Sequence, residues 1–381
     1  MKANRLGWFL VLLLWGTVFP LPAQQSEADR KLLADTRAKA EKGDAKSQWV
    51  LGNAFEIGFL GVAKDYVEAA KWYRKAAEQG FVLAQYDLGV CYRDGKGVTK
   101  DPAEAAQWFR KAAEQGDAKA EYYLGHCYRT GEGMTKDALQ AVQWFRKAAE
   151  QSDVDAQNAL GACYRMGTGV VEDGVEAVKW YRKAAEQGLA KAQFNLGHCY
   201  GTGAGVTKNA IQAAKWYRKA AEQGFAKAQF SLAGCYREGE GVAKDVVEAV
   251  KWYRQAAEQA FVLAQYNLGA CYYKGEGVAR DAVKAAKWYR KAAEQGDAKA
   301  QYYLGACYMN GEGVAKDYVE ADKWFSLAGH QDVEDAKKNL SLVAKEMTTE
   351  QIAEAQRLAR EFKPLTTPEP GASLLGQPPK P

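Results

Sequence analysis

The sequence has little of what enzymes use for catalysis. It contains only three histidines in 381 residues. No Ser-x-x-Lys, Gly-x-Ser-x-Gly or His-Glu-x-x-His motif occurs in it, which argues against the usual serine and zinc hydrolase sites. The sequence also has no large excess of one charge, because its 52 Lys and Arg residues are interspersed with 47 Asp and Glu residues on the same segments. We therefore expect no catalytic residue, metal or cofactor, and no dedicated nucleic-acid surface.

What the sequence does contain is a repeat. Tryptophan returns at a constant interval of 36 residues, at Trp72, Trp108, Trp144, Trp180, Trp216, Trp252, Trp288 and Trp324. A fixed period of this size is typical of stacked helical hairpins and not of one globular domain. Repetition also argues against an active site, because each charged cluster then has several copies.

Each unit contains the signals of two helices. In the clearest copy, Asp101 and Pro102 predict the start of a helix that ends at Gly116, and Glu104 is placed to complete a capping box. A helix follows from Asp117 to about Thr130. We call helices of the 117–130 type A and those of the 101–115 type B. Ser152 and Ala260 stand where other copies have the glycine that ends helix B, so a left-handed backbone is predicted there.

A Gly-x-Gly pair, such as Gly131 and Gly133, follows nearly every helix A. A phosphate-binding loop is one interpretation of these glycines. Such loops follow a strand, however, and need further glycines or a Lys-Ser/Thr pair. A tight turn between two helices is therefore the favoured interpretation.

The order A-x-x-L-G-x-x-Y-x-x-G-x-G-V-x-x-D-x-x-E-A-x-x-W-Y-x-K-A-A-x-x-G resembles the Sel1-like repeat, a relative of the tetratricopeptide repeat. The resemblance covers eight units, from about Asp44 to Ala328. It implies an all-α fold: a right-handed α-solenoid of eight 36-residue helix-turn-helix repeats with N- and C-terminal capping helices. It also implies that the A helices line a concave face, and that the protein acts as an adaptor or scaffold without catalysing a reaction.

The two ends of the chain differ from the repeats. Residues 1–23 have a basic start and a short apolar run, as a secretory signal peptide does. We therefore expect an exported protein of the periplasm or extracellular space, with no stable membrane insertion after signal removal. Residues 24–43 predict an N-terminal capping helix, 44–328 the repeats and 329–362 the C-terminal capping helices. Residues 363–381 contain six prolines and predict a disordered tail.

Seven cysteines also follow the repeat, at Cys91, Cys127, Cys163, Cys199, Cys235, Cys271 and Cys307. Equivalent points of adjacent helices lie about 8 to 10 Å apart, whereas disulfide-bonded Cα atoms lie within about 7 Å. We predict buried, reduced packing residues, with metal binding or redox work as the alternative. His126 and His198 are two units apart and cannot share a metal ion, so both are interpreted as polar surface residues, and so is the isolated His330.

The positions that vary inside helix A are the candidate site. They lie at i, i+3 and i+7 on one face, which we call the A-face stripe. Its predicted partner-binding members are Asp87, Asp94, Tyr123, His126, Thr130, Asn195, His198, Thr202, Ser231, Glu238, Asn267, Lys274, Tyr303 and Asn310. We expect these side chains to face solvent in the groove. The alternative is unselected variation on a solvated face.

The sequence thus favours a non-enzymatic scaffold that binds a protein or peptide along the concave face. A second hypothesis is an envelope protein that binds or hydrolyses a cell-wall or β-lactam-like small molecule, an activity associated with some exported members of the family. A purely structural spacer is the third.

Overall fold

The computed structural model describes residues 27–365. The predicted signal peptide at 1–23 and residues 366–381 of the predicted tail lie outside this range. The chain divides into two compact units, and the boundary between them in the sequence lies between Asp137 and Ala138. Throughout the described residues the secondary structure is helical, without a strand, which confirms the all-α prediction.

The first unit contains six helices. They are α1 (Glu27–Glu41), α2 (Ala45–Ile57), α3 (Tyr66–Glu78), α4 (Val82–Asp94), α5 (Pro102–Glu114) and α6 (Ala118–Thr130). Helix α1 packs on α2, and each later helix of the unit packs on the one before it. Helices α2, α4 and α6 are A helices, and α3 and α5 are B helices.

The second unit continues the same alternation. Its helices are α7 (Ala138–Glu150), α8 (Val154–Met166), α9 (Gly174–Glu186), α10 (Ala190–Thr202), α11 (Ala210–Glu222), α12 (Ala226–Glu238), α13 (Val246–Glu258), α14 (Val262–Lys274), α15 (Ala282–Glu294), α16 (Ala298–Asn310), α17 (Tyr318–Gly329), α18 (Glu334–Val343) and α19 (Thr349–Glu361), with a 3-10 turn at Ala344–Glu346. Even-numbered helices up to α16 are A helices. Packing of each helix on its sequence neighbour is the arrangement of an α-solenoid.

The helix starts follow from the capping residues. The Asp101 carboxylate accepts hydrogen bonds from the N–H groups of Ala103 and Glu104, at 2.9 and 3.1 Å, which satisfies two donors that helix geometry leaves free. A full reciprocal capping box occurs at α19, between Thr348 and Gln351.

The helix ends are set by left-handed residues. Gly116 has φ of 85°, and Ser152 and Ala260 have φ of 71° and 62°, which confirms the predicted conformation at the two non-glycine positions. In the Gly-x-Gly turn, a Cβ atom on Gly133 would lie 2.0 Å from the carbonyl oxygen of Pro102. The second glycine is thus needed because two backbones meet there, and the turn interpretation is confirmed.

The aromatic ring at the centre of each hairpin belongs to the residue that directly follows the tryptophan. Tyr73, Tyr181 and Tyr289 are fully buried, and a helix A glycine packs closely against such a ring in most repeats. A Cβ on Gly89, for example, would lie 2.7 Å from the ring of Phe109. The tryptophans are buried in only half of the repeats, and in most a lysine ammonium covers the indole face, as Lys111 does over Trp108 at 3.8 Å.

A ladder of glutamine side chains joins one hairpin to the next. The Gln85 amide donates to the carbonyl oxygen of Ala77 at 3.2 Å and accepts from the Gln115 amide at 2.8 Å. The contact between glutamines is repeated in the second unit from Gln187 to Gln157, Gln223 to Gln193, Gln259 to Gln229, Gln295 to Gln265 and Gln331 to Gln301, at 2.7 to 2.9 Å. These amides satisfy the backbone carbonyl groups at the buried helix B ends.

The C-terminal segment closes the second unit. Helix α19 packs on α17, and the ring of Phe362 meets Trp324 edge-on with centroids 5.5 Å apart. The Leu365 N–H donates to the Glu294 carbonyl oxygen at 2.8 Å. The segment after α19 therefore begins by folding back on the last repeats.

Candidate functional site on the A helices

The last position of the A-face stripe is exposed in every repeat that has a candidate there. The residues are Asp94 and Thr130 in the first unit, and Thr202, Glu238, Lys274 and Asn310 in the second. Each is the final residue of its helix, directly before a left-handed glycine. The side chains thus stand on rigid helix ends and differ in charge and hydrogen-bonding capacity from one repeat to the next.

The first position of the stripe lies between neighbouring A helices. Asn195 is only 6% exposed, and its amide donates to the Asn158 side chain at 2.9 Å. The expectation that Asn195 faces solvent is therefore wrong. A buried amide needs a partner, and the adjacent A helix supplies it.

The two candidate tyrosines are also held by neighbouring rings. Tyr123 stacks on Phe109 with centroids 5.2 Å apart, and Tyr303 stacks on Tyr289 at 5.3 Å. Both tyrosines are half-buried. They are partly structural, which corrects the expectation that they simply face solvent.

Polar first-position residues make contacts of the same kind. Asp87 accepts a hydrogen bond from Trp49, and the Asn267 side-chain oxygen accepts one from Arg237 at 2.9 Å. Burial raises the pKa of the Asp87 carboxyl to about 6, although the bond from Trp49 opposes that shift. Asp94, at the exposed end of the same helix, has its pKa lowered by Arg93 at 2.7 Å.

The middle position is half-buried at His126 and His198. Burial, with a smaller contribution from Arg165, lowers the pKa of His198. Within residues 27–365 no group of three or more His, Cys, Asp and Glu side chains could hold a metal ion. The remaining candidate, Ser231, lies in a cavity between α10 and α12.

All seven cysteines are buried, and none forms a disulfide bond, as the packing prediction requires. Burial raises the pKa of several of these thiols, to about 12 at Cys91 and about 11 at Cys235 and Cys271. A thiol is a much weaker nucleophile than a thiolate. These environments therefore favour packing over redox chemistry.

Some contacts of this face were missed in the sequence. Glu121 occupies the ladder position of glutamine in α6 and is buried. Asn158 is also buried, at a position where the other repeats have tyrosine, phenylalanine or tryptophan. Both are departures from the repeat at an otherwise regular position. Such departures could have marked these positions as sites of special contacts, although the sequence alone does not show which neighbouring residues they contact.

No helix within the described range is long and apolar enough to cross a bilayer. A family model described as the Sel1 repeat matches eight consecutive segments, 45–81, 82–117, 118–153, 154–189, 190–225, 226–261, 262–297 and 298–333. The chain belongs to the Sel1 repeat family. Proteins with Sel1 and tetratricopeptide-like repeats are generally protein-interaction scaffolds.

Solved structures of Sel1 repeat proteins are similar to this chain. A Sel1 repeat protein from Oxalobacter formigenes is 33% identical, with a TM-score of 0.63 over 85% of this chain and 97% of that one. A protective antigen of uropathogenic Escherichia coli with the same repeat fold is 34% identical, with a TM-score of 0.49 over 88% of this chain and 87% of that one. No curated protein matches the chain.

Proposed function

We propose that this Sel1 repeat protein is an exported, non-catalytic scaffold that binds a protein or peptide segment on its A-helix face. The observation that carries the proposal is the exposed row at the helix A ends: Asp94 and Thr130 in one unit, and Thr202, Glu238, Lys274 and Asn310 in the other. Surrounding positions are occupied by contacts between helices, whereas this row is free to differ from repeat to repeat.

The row has the properties of a recognition surface. In the second unit alone its side chains include a lysine, a carboxylate, an amide and a hydroxyl group, so this part of the row can exchange hydrogen bonds with an extended backbone and pair with charges of either sign. Both threonine hydroxyls donate to the histidine carbonyl one turn earlier at 2.9 Å. That bond holds each side chain in one orientation, which lowers the entropy lost when a partner binds.

Partner capture tests the proposal. Thr202, Glu238, Lys274 and Asn310 are replaced together with alanine, and the purified variant is cross-linked in envelope extract and analysed by mass spectrometry. The matched control replaces Lys215, Glu222, Lys251 and Glu258, which are exposed on helices α11 and α13 and likewise sum to zero net charge. We expect the first variant to lose the protein captured by the native chain and the control to retain it.

The reverse result would place the binding surface on the B helices. Hydrolysis of a chromogenic amide by the purified native chain would contradict the non-catalytic part of the proposal. Detection of the full-length chain only in the cytoplasmic fraction would contradict export.

A further inference from the structure

Between α10 and α12 lies a cavity of about 470 Å³. Its lining includes Gly201 and Thr202 from the end of α10, Ser231 and Gly234 from α12, and the ring of Tyr217 from α11. Two carboxylates, Glu238 and Glu240, and one ammonium, Lys208, also line it. The cavity opens beside Thr202 and Glu238, which belong to the exposed row of the A-helix face.

The cavity exists because one repeat lacks a side chain that its neighbours have. The residue two places after the helix A cysteine packs toward the central ring of the hairpin. In the eight repeats this position is Glu56, Arg93, Arg129, Arg165, Gly201, Arg237, Tyr273 and Met309. Only Gly201 has no side chain to cover the ring.

The contacts made by the other residues show what Gly201 omits. In the first repeat, the Tyr73 hydroxyl donates to Glu56 at 2.6 Å. Burial raises the pKa of Tyr181, and the nearby positive charge of Arg165 partly opposes that rise. The Arg237 guanidinium carbon lies 5.8 Å from the Tyr253 ring centre. Charged side chains therefore cover the tyrosine in the repeats on both sides of Gly201.

Tyr217 is correspondingly uncovered. Its side chain is 9% exposed, whereas the seven equivalent rings are 0 to 1% exposed. A Cβ on Gly201 would lie 3.5 Å from the Tyr217 hydroxyl oxygen, so a side chain entering there would reach that hydroxyl directly. Gly234, which has nothing within 4 Å of its Cβ position, widens the cavity from the opposite helix.

We infer that this cavity binds an arginine side chain of the polypeptide partner, which takes the place that arginine occupies in the adjacent repeats. Tyr217 offers a hydroxyl acceptor, and Glu240 and Glu238 offer carboxylates for a guanidinium. Glu238 already accepts from Arg237 at 2.7 Å, so Glu240 is the main ion-pairing group. The inference rests on the proposed function, because the opening lies on the proposed binding face.

A titration of the purified chain with N-acetyl-L-arginine amide tests the inference. Binding is followed by the NMR amide signals of Gly201 and Gly234. We expect saturable shifts with a dissociation constant of about 1 to 10 mM, as befits one side chain without the rest of a peptide. The citrulline analogue, which has the same shape without the charge, should bind roughly tenfold more weakly.

Two variants control for position. Gly201→Arg fills the cavity with the residue of the neighbouring repeats, so we expect a normal fold by circular dichroism and no binding of the arginine amide. Ala204→Arg adds the same charge at an exposed position of the following turn and should bind as the native chain does. Equal binding of arginine and citrulline amides, no saturable shift, or full binding by Gly201→Arg would overturn the inference.

The capture experiment separates this inference from the proposed function. Should the arginine amide fail to bind while partner capture is lost in the four-residue variant and kept in Gly201→Arg, the cavity inference falls and the scaffold proposal stands. Should the amide bind native chain while capture is undiminished in both variants, the cavity takes arginine but the partner binds elsewhere, and the inference in its stated form falls with the proposed face.

Discussion

The indole N–H of Trp49 donates a 2.7 Å hydrogen bond to the carboxylate of Asp87. This bond joins helix α2 to helix α4, two A helices of consecutive repeats. It holds a carboxylate where the surrounding protein disfavours its charge: Glu56 and Asp117 add to the effect of burial, and Lys119 opposes it.

Replacing Asp87 with asparagine should stabilise the protein at neutral pH. The folded pKa of about 6 lies above the ordinary 3.8, so the folded state holds the proton more tightly and native stability falls as the pH rises between these values. Asparagine keeps the acceptor for Trp49 and removes the charge. We expect a gain on the order of 1 to 2 kcal/mol at pH 7 that vanishes below about pH 4. Urea unfolding midpoints at several pH values measure it.

Asp94→Asn is the matched control for this effect. The pKa of Asp94 is lowered by Arg93, so its carboxylate stabilises the fold above the ordinary pKa and that stability is lost on acidification. Asp94→Asn should therefore weaken the fold at pH 7 and not at low pH. A pH dependence of the same sign in both variants would contradict these assignments.

Replacing Ala260 with glycine should stabilise the protein. Its φ is 62°, in a region where a side chain costs about 1 to 2 kcal/mol. We expect Ala260→Gly to raise the unfolding free energy by up to about 1 kcal/mol after the greater entropy of the unfolded glycine chain is subtracted. The reciprocal change is Gly224→Ala, where φ is 83° and nothing lies within 4 Å of the Cβ position. A lower midpoint for Ala260→Gly would contradict the backbone argument.

The buried side chain of Asn195 should contribute to the stability of the fold. Its replacement by alanine leaves the Asn158 side chain buried without this partner, and we expect a loss of about 1 to 3 kcal/mol. Thr202→Ala, on the exposed end of the same helix, should change stability by less than about 0.5 kcal/mol. The double variant Asn158→Ala, Asn195→Ala should lose less than the sum of the single changes. Additive losses in thermal unfolding would show that the two amides do not act together.

The cysteines should react in a definite order. Cys235 is 9% exposed and Cys199 only 1%, and burial raises the pKa of both thiols. We expect all seven to react slowly with a bulky thiol reagent at pH 7.5, with Cys235 first, and all to react after denaturation. Peptide mapping by mass spectrometry follows the order, and Cys235→Ala should remove the fastest phase alone. Rapid labelling at Cys199 would contradict the packing.

Much of this fold could be predicted because its signals are local and recur. The helix starts at Asp101, the glycine turns and the left-handed backbone at Ser152 and Ala260 each depend on a few adjacent residues. The distinction between the ring at Trp180 and the ring at Tyr181 could not be predicted in this way. Both positions repeat with the same period, and only the packing of Gly161 against Tyr181, at 2.8 Å from a Cβ position, selects the tyrosine as the centre.

The candidate site was harder to predict than the fold. A spacing of i, i+3 and i+7 places residues on one face of a helix, but it does not say where an adjacent helix covers that face. The bond between Asn158 and Asn195 joins residues 37 positions apart, and most other repeats have tyrosine or phenylalanine at the position of Asn158. The exposure of the row at the helix A ends could be predicted more easily, because each of its residues directly precedes the glycine turn.

The glutamine ladder has a consequence for the length of such proteins. In the second unit five junctions use the same amide contact with nearly the same geometry. A gene that gains or loses one complete copy between two of these junctions therefore places the same glutamine contact at the new boundary. Duplication and deletion of whole units can thus change the length of the protein in steps of one repeat while this part of the packing between hairpins is kept.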